Sequence, residues 1–230
     1  LRKGTFMSTE NHMKLSKRFG LNLRPFKKVT PKQQKIMQKV QKQQALKKKS
    51  NFGVQLEIKK SVAFLYGGLR AKYLTTLFQK SFQRKGSVSQ NMISFLEKRL
   101  DTVLVKNHFV GSFAHARQLI SHQKVKVNGV LIQVPSFQLY PGDVISLDDE
   151  AQDQVRQTMR DFLNRQEEQS GLKNFSAKKE RDFTNTVVWY KTTYCEVNYK
   201  TLEIVILFAP QNVHYPMKVQ TEKFTKVFKR

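Results

Sequence analysis

Apolar side chains recur every three to four residues in the segment that follows residue 50, which is the spacing of amphipathic helices. The pattern predicts a helix from Val54 to Tyr66, which stops at the pair Gly67 and Gly68. A second helix is predicted over Leu69–Phe82. Because both apolar stripes are expected to face a core, this part of the chain is predicted to be mostly helical.

A capping box at Ser94 and Glu97 predicts the start of another helix, because the hydroxyl and the carboxylate can each satisfy a backbone amide. Apolar residues at helical spacing continue from there to the region of His108. Ser112 is a suitable N-cap for a shorter helix over Phe113–Ser121. These two helices are predicted to form a compact pair.

The apolar period changes from helical spacing to alternation at Lys124. Val125 and Val127 are predicted to point to one side of a strand, and Lys124 and Lys126 to the other. Asn128–Gly129 follows, and this dipeptide favours a type I′ hairpin turn because both residues tolerate a positive φ. The chain therefore predicts a hairpin whose first strand has a basic outer side.

More strands are predicted beyond this hairpin. Val130–Val134 is the expected return strand, and a turn over Tyr140–Asp143 leads into a strand over Val144–Leu147. A charged amphipathic helix follows, with apolar positions between Val155 and Leu163. Near the end of the chain, strand patterns cover Val187–Tyr190, Tyr194–Val197 and Leu202–Phe208. The predicted fold class is α+β, with a mostly helical first domain and a second domain of helices on an antiparallel sheet.

The net charge of +25 and the isoelectric point near 10.2 indicate a polyanionic partner. Nucleic acid is the first candidate and a membrane surface the second. The longest apolar run, Ile204–Pro210, is too short for a membrane-spanning helix, so no membrane association is expected. Cys195 is the only cysteine, and the five histidines lack metal-ligand spacing, so neither a disulfide nor a metal or other cofactor is expected.

Residues 1–50 hold fifteen Lys or Arg and one acid, Glu10, and contain little apolar surface. Such a segment is expected to be a basic arm that is disordered when free and helical over Lys32–Lys49 when it lies against an anion. A solvated tail is the open alternative. A mitochondrial presequence is disfavoured, because Lys and Gln dominate and Arg is sparse.

Basic and polar residues of the two short helices and the first strand of the hairpin are predicted to share one surface. Arginine makes bidentate contacts with phosphate and lysine supplies a mobile charge, so this surface suits an RNA backbone. Gln118 and Asn128 are candidates for contacts with sugar or base edges. Two alternatives stay open, a solvated strand face for the lysines and an ion pair of Arg117 with Asp101. The cationic candidates are Arg99, Arg117, His122, Lys124 and Lys126.

The segment EKRLDTVLVKNHFVGSFAHARQLISHQKVKVNGVLIQVPSFQLYPGDVISL resembles the RNA-binding module of the fourth ribosomal protein of the small subunit. The pieces RLD, ARQLISH, VNG, PS and PGDVIS occur in the order and spacing of that family. FLYGGLRAKYL resembles the segment before the module, and YCEVNYKTLEIVILFAP resembles the carboxyl-terminal strands, most closely in mitochondrial members. The resemblance covers roughly residues 60–147 and 187–219.

The resemblance implies a primary binder of small-subunit rRNA that nucleates assembly of the subunit body and helps line the messenger RNA entrance. The partners it implies are the 5′ domain of that rRNA and neighbouring ribosomal proteins, without self-association, in the mitochondrion or alternatively a plastid. Asp101 is expected to orient the arginines. Lys72 lies on the basic face of the upstream helix. Residues matching the family motifs are Tyr66, Gly67, Arg70, Arg99, Arg117, Gln118, Ser121, His122 and Asn128.

Composition and the resemblance together predict a division of the chain. The expected parts are a basic arm over 1–50, a helical domain over 51–93 that the terminal segments complete, the RNA-binding module over 94–147, a charged helix and expanded connection over 148–186, and strands and a tail over 187–230 that pack on the other domains. The cysteine cluster with which some bacterial members bind zinc is absent. Residues 1–50 and 148–186 match the family poorly.

Three other functions are alternatives to a ribosomal role. An enzyme that carries the same small module needs a large catalytic domain with its own motifs, for which the chain has neither motif nor room. A free RNA chaperone or assembly factor is the principal alternative, and the ribosomal character of Tyr194–Pro210 speaks against it. A DNA-binding helix-turn-helix is disfavoured, because the second short helix offers few base-reading side chains.

Overall fold

The computed structural model describes residues 30–46, 50–170 and 192–210, and the side chains of 41, 44–46 and 161–170 lie outside the description. This part of the chain divides into two compact units, one up to Gln79 and one from Lys80 onward. No helix within the described ranges combines the length and the apolar character that a membrane span requires. The helices are α1 (Pro31–Leu46), α2 (Asn51–Leu65), α3 (Ala71–Gln83), α4 (Val88–Glu97), α5 (Leu100–Lys106), α6 (Phe113–Ser121) and α7 (Asp149–Ser170).

The first unit is helical, as the apolar spacing predicts. α1 begins with a capping box. The side-chain oxygen Oε1 of Gln33 accepts a hydrogen bond from the Thr30 backbone N–H at 3.1 Å, and the Thr30 hydroxyl oxygen accepts one from the Gln33 backbone N–H at 3.3 Å. Ser50 caps α2 with a single hydrogen bond, its hydroxyl oxygen accepting from the Gly53 N–H at 3.2 Å. Helical structure therefore covers most of the range predicted from Lys32, while residues 1–29 and 47–49 lie outside the described residues.

The two glycines after α2 stop that helix. Gly67 and Gly68 both have a φ of 73°, and the Gly68 amide donates to the Ala63 carbonyl oxygen at 2.8 Å. A left-handed backbone of this kind closes a helix at low cost only when glycine occupies it. The predicted break between two helices is confirmed, and α3 begins at Ala71.

The capping box predicted at Ser94 is wrong. Ser94 lies inside α4, which begins six residues earlier at Val88. Glu97 is fully buried and accepts hydrogen bonds from the Lys106 ammonium group at 2.6 Å and from the Tyr194 hydroxyl at 2.9 Å. Because tertiary partners engage this carboxylate, it does not cap a helix, and the predicted single helix is divided at Lys98.

The second unit contains an antiparallel sheet of five strands, β1 (Val125–Val127), β2 (Val130–Leu131), β3 (Val144–Leu147), β4 (Cys195–Asn198) and β5 (Glu203–Ile206), in the order β2-β1-β3-β5-β4. Buried and exposed residues alternate along the strands, so one sheet face is covered. Fully buried side chains of the helices complete the core, among them Leu96, Leu104, Ile120 and Val155.

The predictions for the helix cap at Ser112 and for the hairpin turn are confirmed, and only the return strand differs from its predicted length. Ser112 accepts a hydrogen bond from the His115 N–H at 3.3 Å and caps α6 over the predicted residues. The turn residues Asn128 and Gly129 have φ values of 51° and 80°. The return strand β2 is only two residues long, and both are exposed. The strand predicted over Val187–Tyr190 lies outside the described residues.

Candidate nucleic-acid interface

A buried carboxylate organises two of the predicted arginines. Asp101, in the first turn of α5, is fully buried. It accepts hydrogen bonds from Nε and Nη2 of Arg99 at 2.9 and 2.8 Å, and from Nε of Arg117 at 2.9 Å. Two guanidinium groups therefore share one carboxylate, which fixes their orientation and offsets part of their charge. Asp101 orients the arginines as expected, and the ion pair with Arg117 that the sequence left open is formed.

The two arginines differ in exposure. The Arg99 side chain is only 5% exposed, whereas that of Arg117 is 32% exposed. The prediction that Arg99 lies on the shared surface is therefore wrong, because this residue stands at the N-cap of α5 and its guanidinium group is drawn inward onto Asp101. Arg117, on α6, keeps an exposed part that can meet a phosphate.

Lys124 and Lys126 follow on the outer side of β1, and each is paired with an acid. The Lys126 ammonium group lies 2.7 Å from a carboxylate oxygen of Asp148, and that of Lys124 lies 3.5 Å from Glu150. The hydrogen bond with Asp148 raises the pKa of Lys126 above its usual value, so this lysine stays charged at neutral pH. Both lysines are partly exposed and retain the predicted outward direction. An RNA phosphate has to compete with these acids.

The end of α6 presents polar side chains to solvent. Gln118, Ser121 and His122 are all exposed. The Ser121 hydroxyl donates to the Gln118 carbonyl oxygen at 3.0 Å, and His122 is the C-cap residue of the helix. Together with Arg117 they lie on or directly after one short helix, as predicted, and their contacts with RNA stay a prediction.

Asn128 is exposed, and its side chain holds the hairpin turn in place. Its amide nitrogen donates to a carboxylate oxygen of Asp143 at 2.9 Å, and its amide oxygen accepts the Val144 N–H proton at 2.9 Å. Asp143 also accepts from the Tyr140 N–H at 2.7 Å, so these bonds hold the hairpin against the turn before β3. Both ends of the Asn128 amide are thus engaged within the protein, and its predicted contact with sugar or base stays a prediction.

Substituting Asn128 by alanine is expected to lower the free energy of unfolding by about 1–3 kcal/mol, because two hydrogen bonds are lost and alanine is strained at positive φ. Urea denaturation of the full chain measures this cost, and Asn128→Gly, which tolerates the backbone angle, should lose less. Affinity of the folded variants for RNA should change less than about twofold. A large loss of affinity at unchanged stability would instead identify Asn128 as an RNA contact.

The upstream candidates lie in the first unit. Tyr66 is 2% exposed and its ring belongs to the core, so this structure offers little of it to RNA, and its predicted contact stays a prediction. Gly67 is half-buried and serves the backbone turn described above. Arg70 and Lys72 are exposed, consistent with the predicted basic face at the start of α3. Their contact with RNA stays a prediction.

Two cations of the second unit escaped the sequence prediction. Lys98, directly before Arg99, is half-buried, with its ammonium group 5.6 Å from the centroid of the Tyr140 ring. Arg84 lies over the Phe95 ring, 4.3 Å from its centroid. The only sequence signal for them was a Lys immediately before the RLD motif and an isolated Arg-Lys pair before α4, and neither stands out in so basic a chain.

Comparison with known proteins identifies the family. Residues 8–97 match the family described as ribosomal protein S4/S9 N-terminal domain, and residues 98–145 match the S4 domain. The first match includes most of the basic segment 1–50, for which the sequence alone showed no resemblance to the family. It also ends directly before Lys98, where α4 gives way to α5.

Individual relatives agree with these family matches. The small ribosomal subunit protein uS4m of Marchantia polymorpha is 34% identical over 197 residues, which is 85% of this chain and 89% of the relative. The uS4 protein of Caulobacter vibrioides is 32% identical over 211 residues, 90% of this chain and 91% of the relative. That of Chromobacterium violaceum is 39% identical over 107 residues, 46% and 52% of the two chains. The chain belongs to the small ribosomal subunit protein uS4 family.

Proposed function

We propose that this protein is a structural constituent of the small ribosomal subunit that binds the subunit's rRNA. The observation that carries the proposal is the row of partly exposed cations Arg117, Lys124 and Lys126 within the segment that matches the S4 domain. Each is positioned by an acid that leaves part of the side chain in solvent. A folded surface of this kind can meet a phosphate backbone without first paying the entropy of ordering long side chains.

The charge of the whole chain supports a large polyanionic partner. A net charge of +25 spread over 230 residues repels itself, and the phosphates of a folded rRNA offset that repulsion. Contacts with phosphate fix the position of a protein on RNA, while shape and unpaired bases provide specificity. We infer that the module recognises the folded shape of an rRNA junction.

The finer assignments are part of the same proposal. We infer that the rRNA contacts lie in the 5′ domain, that neighbouring ribosomal proteins and the path of messenger RNA are adjacent, and that the ribosome is mitochondrial. The uS4m relative supports the mitochondrial assignment, while bacterial uS4 relatives of similar identity are compatible with other ribosomes, including those of plastids.

We infer no catalytic role for the chain. Three acids, Asp148, Asp149 and Glu150, are adjacent at the end of β3. Asp148 and Glu150 pair with Lys126 and Lys124, and Asp149 accepts a hydrogen bond from the Gln152 side-chain amide at 3.1 Å. A general acid and base need a shared cleft and matched pKa values, and carboxylates that neutralise neighbouring lysines at the surface serve a different purpose.

Ultraviolet crosslinking in cells, followed by gradient sedimentation and sequencing of the attached RNA, tests the proposal. The protein is expected to sediment with the small subunit, to remain there after magnesium depletion separates the subunits, and to crosslink within the 5′ domain of organellar small-subunit rRNA. Sedimentation near the top of the gradient on diverse RNAs would instead identify a free RNA chaperone or assembly factor.

A further inference from the structure

We propose that Arg84, Lys98 and Tyr140 form an additional RNA contact, in which the two cations hold a backbone phosphate and the tyrosine ring stacks on an unpaired base. The inference rests on the proposed function as an rRNA binder and adds a site to it. All three residues belong to the second unit, and none is among the residues that the family motifs indicated.

The local structure fixes the backbone from which these side chains extend. The side-chain amide of Asn91 lies within hydrogen-bonding distance of the carbonyl oxygens of Arg84 and Lys85, at 3.4 and 3.3 Å, and fixes the loop after α3. Lys98 is the C-cap residue of α4, and its carbonyl oxygen accepts the Leu139 N–H proton at 2.8 Å. That bond sets Tyr140 beside Lys98, so the site is formed by fixed backbone rather than by mobile ends.

Each cation lies over an aromatic ring. The Arg84 guanidinium carbon is 4.3 Å from the centroid of Phe95, and the Lys98 ammonium group is 5.6 Å from that of Tyr140. Such contacts orient a cation while leaving its other side able to bind an anion. Tyr140 is 57% exposed, so a face of its ring is accessible from solvent. Exposed aromatic rings among cations are typical of surfaces that bind single-stranded RNA.

Within the described residues, the cations of this site lack carboxylate partners of the kind that Arg117 and Lys126 have. Phe95 and Lys98 are three residues apart at the carboxyl end of α4 and lie on the same side of that helix, so Arg84, which lies over the Phe95 ring, is close to Lys98. Partial burial, and then the positive charge of Arg84, lower the pKa of Lys98 below its usual value, in keeping with this arrangement. Arg117 and Lys126 are each paired with a carboxylate, whereas no ion pair joins Arg84 or Lys98 to an acid in the described part of the chain. An anion between the two cations would relieve their repulsion, and this is the physical reason to expect a phosphate there.

The chemistry favours RNA over an acidic peptide. Both ligands can supply an anion for Arg84 and Lys98, but a nucleic acid also supplies a flat base for the exposed face of Tyr140. Removing the Tyr140 ring while keeping Arg84 and Lys98 should therefore weaken the binding of RNA but not that of an acidic peptide. Substituting Tyr140 by leucine keeps apolar bulk and removes only the stacking surface.

The contribution of the site to RNA affinity is measured by filter binding. The full chain is titrated against a transcript of the 5′ domain of organellar small-subunit rRNA at a series of salt concentrations. The double variant Arg84→Gln with Lys98→Gln is expected to weaken binding roughly tenfold and to lower the steepness of the salt dependence by about 0.7–0.9 per lost phosphate contact. Tyr140→Leu should weaken binding about fivefold with little change in the salt dependence. The matched control is Lys200→Gln at an exposed lysine in the β4–β5 turn, which should bind like the wild type.

Two further readouts separate binding from folding. Because the double variant removes like charges, its thermal midpoint is expected to equal or exceed that of the wild type. Acylation of lysines, read by mass spectrometry, should label Lys98 in the free protein and much less in the complex, while Lys200 stays equally reactive in both. Equal labelling of Lys98 with and without RNA would overturn the proposal.

The outcomes distinguish this site from the proposed function itself. If the wild type binds the transcript with a steep salt dependence and the double variant behaves like Lys200→Gln, the additional site is wrong and rRNA binding stands. If cation loss weakens binding but Tyr140→Leu does not, the base-stacking contact is wrong. If the wild type does not prefer the transcript over an unrelated RNA of equal length, the proposed function fails first.

Discussion

Substituting Asp101 by asparagine is expected to lower the free energy of unfolding by about 3–5 kcal/mol, the usual cost of removing one partner of a buried ion pair. The variant keeps the size of the side chain but removes its charge and turns one acceptor oxygen into a donor. Arg99, whose side chain is 5% exposed, then stays buried beside an uncharged amide. Urea denaturation of the full chain, followed by far-ultraviolet circular dichroism, measures the loss.

Asp153→Asn is the matched control for this substitution. Asp153 also pairs with an arginine, Arg156 at 3.3 Å, but its side chain is 88% exposed, so the same change should cost less than about 0.5 kcal/mol. Similar small losses at both positions would show that the Asp101 carboxylate does not stabilise the fold.

Arg117→Ala separates the two roles of the Asp101 cluster. This substitution leaves Asp101 paired with Arg99 through two hydrogen bonds, so the loss of stability should be modest, about 1 kcal/mol or less. The loss of RNA affinity should nevertheless be clear, because Arg117 is the partly exposed member of the cluster. Arg99 and Arg117 thus bind the same carboxylate, but we expect buried Arg99 to stabilise the fold and partly exposed Arg117 to contact RNA.

Signals that act over a few residues predicted the structure well. Ser112 caps α6, and Asn128 and Gly129 take up the positive φ angles of a hairpin turn, because both features depend on nearest neighbours in the chain. The alternation of Val125 and Val127 with lysines gave the correct faces of β1 for the same reason. The capping box at Thr30 and Gln33 is equally local and was readable from the sequence, although it was not singled out.

Tertiary partners decided the positions that local patterns misplaced. Ser94 and Glu97 have the spacing of a capping box, but Lys106 and Tyr194 engage the glutamate from other elements. Tyr194 is almost a hundred residues away in sequence, and no pattern within one helix can reveal it. The buried positions of Tyr66 and Arg99 have the same origin, since the residues that cover a side chain are set by the whole fold.

At the candidate RNA interface too, the sequence predicted the types of residue present, whereas tertiary contacts decide what each residue does. The basic character of β1 and α6 was predictable, whereas the pairing of Lys126 with Asp148 depends on the sheet register that brings the end of β3 beside β1. Asn128 was assigned to RNA because of its type, but Asp143 and Val144 use both ends of its amide. Composition therefore identified the kind of ligand, and the fold decides which side chains remain to meet it.

The affinity for small-subunit rRNA is expected to fall roughly a thousandfold when salt rises from about 50 to about 200 mM. Six neutralised phosphates, each with a log-log slope of about −0.8, account for a change of this size. The acids beside Lys124 and Lys126 compete for these lysines at every salt concentration, so they lower the affinity without removing its salt dependence. Filter binding to a 5′-domain transcript at several concentrations of potassium chloride measures the slope.

Substitutions of single cations show which residues contribute to the salt dependence of the affinity. Arg117→Ala should reduce its magnitude by about 0.7–0.9 and weaken specific binding more than Lys47→Ala, whose position in the basic segment lies outside the described residues. Equal effects of the two substitutions at fixed salt would show that the basic segment, rather than the module, selects the rRNA. A loss of less than tenfold over the whole salt range would mean that phosphate contacts are not the main source of affinity, and that base recognition carries the binding instead.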